Sequence, residues 1–248
     1  MGTMAVKFHQ VRGAQSALIA AVHASEGLVG SPRVLTADDG GLLRAFSDDP
    51  RPSKLIEGLG EEWSLLDIAM RAYPAASTLQ SLISVLLAAP LDFKDVSSVS
   101  VELPIEAYRL GGEAGWESEL RSMQSARYVA AGVIVTRECW TNLFDDAHRH
   151  DPIIDEFARD RVKVSCNPEL VDGAVRVTVE AASGRLGLEL DVPPGDPLSP
   201  MTAVQMLEKA TRCVSDSPLA DHGFEVRRLL SLQSEPSVAT LLRALRAA

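Results

Sequence analysis

A Tyr73-Pro74 step set between two apolar segments constrains the fold of this chain more than any other feature. Before it, Leu65, Leu66 and Ile68 read as a strand over residues 64–70. After it, residues 77–89 read as a helix, with the strongest apolar run of the sequence at 82–89. Proline fixes φ and disfavours helix at the preceding residue, so the chain changes direction here. The helix that follows offers unpaired backbone N–H groups at its first turn, which favour negative charge. A second stretch, Ser-Ala-Arg-Tyr-Val-Ala-Ala at 125–131, opens another apolar helix. Two such openings set polar groups at the mouth of a cleft.

Around these two points the pattern is mixed. Residues 96–103 read as a strand in which Val99, Val101 and Leu103 share one face. A longer helical pattern runs from about Glu119 to Thr136, and an acidic, histidine-bearing loop follows at 145–151. Pro152 starts a short helix by the preference of proline for the first turn. Strands are expected at 161–165, 174–180 and 186–190, the last two joined by a hairpin turn at Ser183-Gly184. The proline-rich passage 193–200 reads as a linker, and helices are expected at 202–214, 222–232 and 236–247. Ahead of all this, residues 13–25 read as a helix that Gly27, Gly30 and Pro32 end. Up to Gly60 the chain lacks enough apolar surface to fold alone. The fold class is therefore α+β: an α+β unit at 63–198 inserted between helical segments at 1–62 and 199–248.

Several function classes are disfavoured. The formal net charge of −10 comes with no dense basic run, which argues against nucleic acid and against an anionic membrane surface. The run 82–89 is too short to span a bilayer, and the N-terminus does not look like a signal peptide, so a cytoplasmic protein is expected. Cys139, Cys166 and Cys213 are odd in number and widely spaced, the pattern of buried reduced thiols. His148 and His150 lie among acidic residues and read as exposed loop side chains, with no metal expected. No P-loop, GxGxxG or GxSxG motif is present, and no cofactor is expected.

The 69–80 and 125–131 stretches, in this order, resemble the MmgE/PrpD family, which includes 2-methylcitrate dehydratase and cis-aconitate decarboxylase. Val6-Lys7-Phe8 with Gly13-Ala14, Gly27-Leu-Val-Gly30, Asp151-Pro152, Val162-Lys-Val164 and Gly195-Asp196-Pro197 add collinear matches over nearly the whole chain. The resemblance implies an α+β lid on an all-helical domain, with catalytic residues lining the cleft between them. It carries Lys7, Arg71 and Tyr128 over as catalytic, and Arg71, Gln80 and Ser125 as substrate-binding. The family's histidines fall on Gln10, Ala76 and Gln80 here, and its lysine before the turn is Arg71.

That substitution pattern has a chemical meaning. Elimination of water or carbon dioxide beside a carboxylate needs an acid or base with a pKa near working pH. Histidine supplies one; glutamine cannot, and arginine stays protonated while remaining a good bidentate carboxylate clamp. The resemblance thus implies a divergent lyase or isomerase subunit acting on a small carboxylate-bearing substrate, with Tyr128 or Lys7 moving the proton. The alternative is a non-catalytic scaffold or ligand-binding subunit of a heteromeric complex. Family members carry a long helical region ahead of the point matching Lys7. The expected partner is accordingly a second helical polypeptide, with a homodimer as the fallback.

Overall fold

The computed structural model describes residues 5–217 together with 220, 237 and 243. The helices expected at 222–232 and 236–247 lie outside the described residues.

Burial begins at the Tyr73-Pro74 turn. Between residues 8 and 71 Gly41 alone is buried, although this stretch includes helix α1 (Ala5–Ser25) and the short α2 (Leu42–Phe46). α1 starts earlier than the 13–25 reading, because Gly13 inside it weakens a helix without ending it. The strand expected at 64–70 is not formed. Ser64–Asp67 is a single 3-10 turn, and Leu65, Leu66 and Ile68 are exposed. Adjacent leucines give no alternation, and no strand among the described residues lies beside them to pair with.

Past the turn the chain builds a two-layer unit. Helix α3 (Gln80–Ala88) leads into strand β1 (Val96–Leu103), then α4 (Ile105–Gly111), α5 (Glu119–Ser122) and α6 (Ala126–Thr136). Next come α7 (Asp146–Arg149), α8 (Pro152–Asp160), β2 (Val162–Cys166), β3 (Val175–Ala181), β4 (Gly184–Leu190) and α9 (Ala203–Ser215). The 4-stranded sheet has the order β2-β1-β3-β4. β1 is parallel to β2 and antiparallel to β3, and β3 is antiparallel to β4. The helices between β1 and β2 supply the crossover that a parallel pair requires.

One face of the sheet is apolar. Val99, Val101 and Leu103 of β1 and Val175, Val177 and Val179 of β3 are buried beneath Leu82, Ile83, Val129 and Val133 of α3 and α6. The other face carries Ser100, Glu102, Lys163, Arg176 and Glu189. α8 is laid down as its sequence dictates: Pro152 occupies the first turn, and the Asp151 carboxylate accepts from the N–H of Ile153 at 2.8 Å. The helix expected over 119–136 is broken in two at 123–125, because Ser125 caps α6 by accepting from the N–H of Tyr128 at 3.3 Å. α4 was not expected at all.

Among the three thiols only Cys139 is buried; Cys166 and Cys213 are exposed, since they sit on an edge strand and on an outer helix. Their expected burial is corrected accordingly. Among the described residues no helix is long and apolar enough to cross a membrane, and no cluster of side chains could hold a metal ion.

Candidate functional site

The Tyr73-Pro74 turn is held in place from three sides. Behind it, the Gln80 side-chain amide grips the backbone. Its Oε1 accepts from the Tyr73 N–H at 3.0 Å, and its Nε2 donates to the carbonyls of Tyr73 at 3.2 Å and Ala76 at 3.2 Å. Below it, the Ala76 N–H donates to Met123 O at 2.9 Å, at the break between α5 and α6. Ahead of it, the Met70 N–H donates to Gly195 O at 2.7 Å. Gly195 has φ +88°, and a Cβ there would lie 1.8 Å from the Met70 carbonyl, so only glycine lets the linker approach this closely.

The linker delivers α9 over the turn. Thr202 and Gln205 form a capping box at its start. Two adjoining cavities open beneath the helix, of about 620 and 420 Å³, and both are lined by Tyr73, Trp140 and Lys209. The smaller also reaches Arg71, Pro74, Ala76, Met123 and Cys213; the larger reaches Arg137, Glu138, Cys139 and Arg212.

The basic side chains around this cleft divide into two groups. Arg137, the one non-glycine residue with positive φ (57°) among those described, donates to the carbonyls of Leu86 at 2.9 Å, Leu87 at 2.8 Å and Ala89 at 2.6 Å, capping the end of α3. Arg212 lies over the Trp140 ring at 4.3 Å and pairs with Glu138. Both are engaged in holding the walls. Arg71 and Lys209 face the space itself. The Arg71 Nη1 donates to Ala75 O at 3.3 Å, and the Lys209 Nζ donates to the carbonyl of Arg71 at 2.5 Å. Each retains further N–H donors, and both side chains line the smaller cavity. A carboxylate is the natural ligand of such a pair.

The other residues singled out in the sequence lie apart from this pair. Tyr128 is fully buried, stacked against Trp116 at 6.0 Å, and its hydroxyl donates to Leu143 O at 2.5 Å. Burial raises its pKa well above the ordinary tyrosine value, and Arg149 offsets this only in part. Ser125 is buried, with its Oγ donating to Ala114 O at 2.6 Å while it caps α6. Gln80 touches the cleft only through the turn it holds. Lys7 falls within α1, and its side chain lies outside the described part of the structure. His148 is not the exposed loop residue expected: it sits half-buried within α7, giving its backbone N–H to the Asp145 cap at 2.8 Å, whereas His150, just past the helix, is exposed with its ring against Asp146 O.

Sequence reasoning missed Lys209, Arg212 and Trp140. A signal for the first two existed. Lys209, Arg212 and Cys213 stand at i, i+3 and i+4 of an amphipathic helix, which places them on one face.

A family model, the MmgE/PrpD C-terminal domain, matches residues 73–224, more than half of the chain. It begins at the tyrosine of the turn and takes in the sheet, α9 and the cleft lining apart from Arg71 and Ala72, which precede its start. No curated protein matches the chain.

Proposed function

The chain belongs to the MmgE/PrpD family, and from that premise we propose that it is a subunit of a lyase or isomerase acting on a small carboxylate-bearing substrate. The observation that carries the proposal is that Arg71 and Lys209 both line an open cleft in which the other basic residues are spent on structure. Arg71 clamps the carboxylate and Lys209 neutralises it from the facing helix, which favours charge that builds up on the carboxylate as a neighbouring proton leaves. With Lys209 held as a cation against the carboxylate, Lys7 is left to carry that proton. Tyr128 fits the role only after its hydroxyl leaves the Leu143 carbonyl.

In this reading residues 63–198 form the lid, and 1–62 and 199–248 belong to a helical domain completed by a second, mainly helical polypeptide. The exposure of α1 supports this. Phe8, Val11, Leu18, Ile19 and Val22 are all exposed and fall on one face of the helix, the apolar stripe of a helix that packs against a neighbour. A homodimer through the same faces is the fallback.

The test is deuterium uptake from D2O at carbons next to the carboxylate in a panel of small di- and tricarboxylic acids, followed by proton NMR on the protein with whatever copurifies from its host. Exchange that is lost in Arg71→Ala and Lys209→Met supports the assignment. Exchange that survives both substitutions refutes it.

A second reading, a non-catalytic ligand-binding or scaffold subunit, is favoured by one observation. Gln80, Ser125 and Tyr128 spend their polar atoms on backbone groups. It predicts carboxylate binding without deuterium uptake.

A further inference from the structure

The sheet has two edges, and they differ. β2 is short, carries Lys163, is flanked by α4 and runs into Asn167-Pro168, devices that blunt an edge against pairing. β4 is longer and lacks the lysine, although α3 packs against it. It is a regular strand without proline or lysine, its register with β3 is continuous over Gly184–Leu190, and no described strand lies on its other side. The turn at residues 182–183 closes on the Ala181/Gly184 pair, and hydrogen-bonded and non-bonded pairs alternate from there. The backbone groups of Arg185, Gly187 and Glu189 therefore point outward, unclaimed by β3.

We propose that β4 is the seam of a two-fold dimer of this chain, in which it pairs antiparallel with β4 of a second copy about an axis at Gly187. The sequence of the strand is self-complementary in that register. Arg185 faces Glu189 of the second copy, and Glu189 faces its Arg185. Leu186 faces Leu188 on the apolar side, and Gly187 meets itself. The outward backbone groups of residues 185, 187 and 189 then find their partners in the same residues of the second copy.

The polar face of the sheet adds an independent match. Arg176 already pairs with Glu102 at 3.5 Å and with Glu189 at 3.0 Å, and Arg185 pairs with Glu180 at 3.4 Å. These side chains stand opposite one another across the strands. Joined through Gly187, the sheets carry a row of alternating charge across the seam: Glu102, Arg176 and Glu189 of one copy, then Arg185 and Glu180 of the other. A two-fold repeats the row in reverse. A slip of two residues sets Arg185 against Gly187 in one direction and against Asp191 in the other, and leaves Glu189 facing Ser183 or Gly187, so only the register about Gly187 completes the row. Gly187 has no atom within 4 Å of where a Cβ would stand, so the polar face of the sheet is open at the axis. This inference is independent of the chemistry proposed for the cleft.

The test is charge exchange in the full chain, read by sedimentation velocity at about 100 µM, a concentration suited to a small interface. Wild type is expected at twice the 26.6 kDa chain mass, or at twice the mass of its complex if a helical partner copurifies. Arg185→Glu and Glu189→Arg each place like charges opposite one another twice across the seam, and each alone should weaken dimerisation about tenfold or more. Mixing the two variants restores opposite charges at both positions and should restore the doubled mass, which a folding defect would not do. Wild-type association in either variant alone, or no recovery on mixing, overturns the proposal. As a second measurement, Gly187→Cys in a Cys166→Ser, Cys213→Ser background should cross-link to itself with a short bismaleimide. Thr178→Cys, on the inner strand β3, should not, because two such residues would lie about 14 Å apart or more at ordinary strand spacing. No cross-link at 187, or equal cross-linking at 178, likewise overturns it.

Discussion

Gln80 is the keystone of the Tyr73-Pro74 turn, and replacing it tests that description quantitatively. The side chain is 2% exposed. Gln80→Leu keeps the approximate volume but removes the acceptor of the Tyr73 N–H and both donors to the carbonyls of Tyr73 and Ala76. Each such bond contributes on the order of 1 kcal/mol net, and a buried group left unpaired costs more, so a loss of about 2–4 kcal/mol is expected. Gln80→Glu is the sharper probe. Its carboxylate still accepts from Tyr73, but the second oxygen now sits where Nε2 did, against the same carbonyls. Protonation converts that oxygen into a donor. The variant's folded-state carboxyl pKa is therefore raised above its unfolded value, and its stability is fullest at low pH and falls as pH rises through the folded pKa. Urea unfolding followed by tryptophan fluorescence, at acid and neutral pH, measures both effects. A loss below about 0.5 kcal/mol for Gln80→Leu, or a Gln80→Glu deficit relative to wild type that does not grow with pH, would refute the account of the turn.

Three further outcomes follow from the geometry. Burial pushes the Cys139 thiol up to about 12, while Cys166 and Cys213 are exposed. A thiol reagent at neutral pH should modify Cys166 and Cys213 in the native protein and reach Cys139 only on unfolding, as peptide mass mapping would show. Arg137→Ala removes the cap on the end of α3 and should cost about 2–4 kcal/mol by thermal or chemical denaturation, since bonds from a charged donor are the stronger kind. The His148 backbone N–H and ring hold the Asp145 carboxyl below its ordinary 3.8. The stability it contributes is present above that value and lost as pH falls through the lowered pKa. Asp145→Asn should flatten this acid limb of the stability curve, and Asp145→Ala should also lose about 1 kcal/mol of capping at neutral pH.

The sheet was legible because its strands alternate. Val99, Val101 and Leu103 against Ser98, Ser100 and Glu102 fix both the strand and the face it buries. Asp151-Pro152 likewise marked the start of α8. The 64–70 segment misled because apolar content was read without alternation; lacking a partner strand, its leucines stay in the open. α4 escaped notice because it is short, with Ile105 and Leu110 exposed rather than forming a buried stripe, so its periodicity carries little signal. At the site, the turn and Arg71 were visible as local chemistry. Lys209 was not, because it lies far along the chain and meets Arg71 only after the 193–200 linker folds back through the Met70–Gly195 contact. Gln80 shows the limit of position-by-position transfer: an amide at a polar site position is here engaged with the backbone of the turn beside it.

The central claim is that the cleft beneath α9 takes a carboxylate between Arg71 and Lys209. Calorimetric titration with tricarballylate, which carries carboxylates and no other functional group, tests it most directly. Saturable binding that weakens with added salt and falls at least about tenfold in both Arg71→Ala and Lys209→Met is the predicted result. The absence of saturable binding to the wild-type protein, or affinity unchanged by the double substitution, would contradict it.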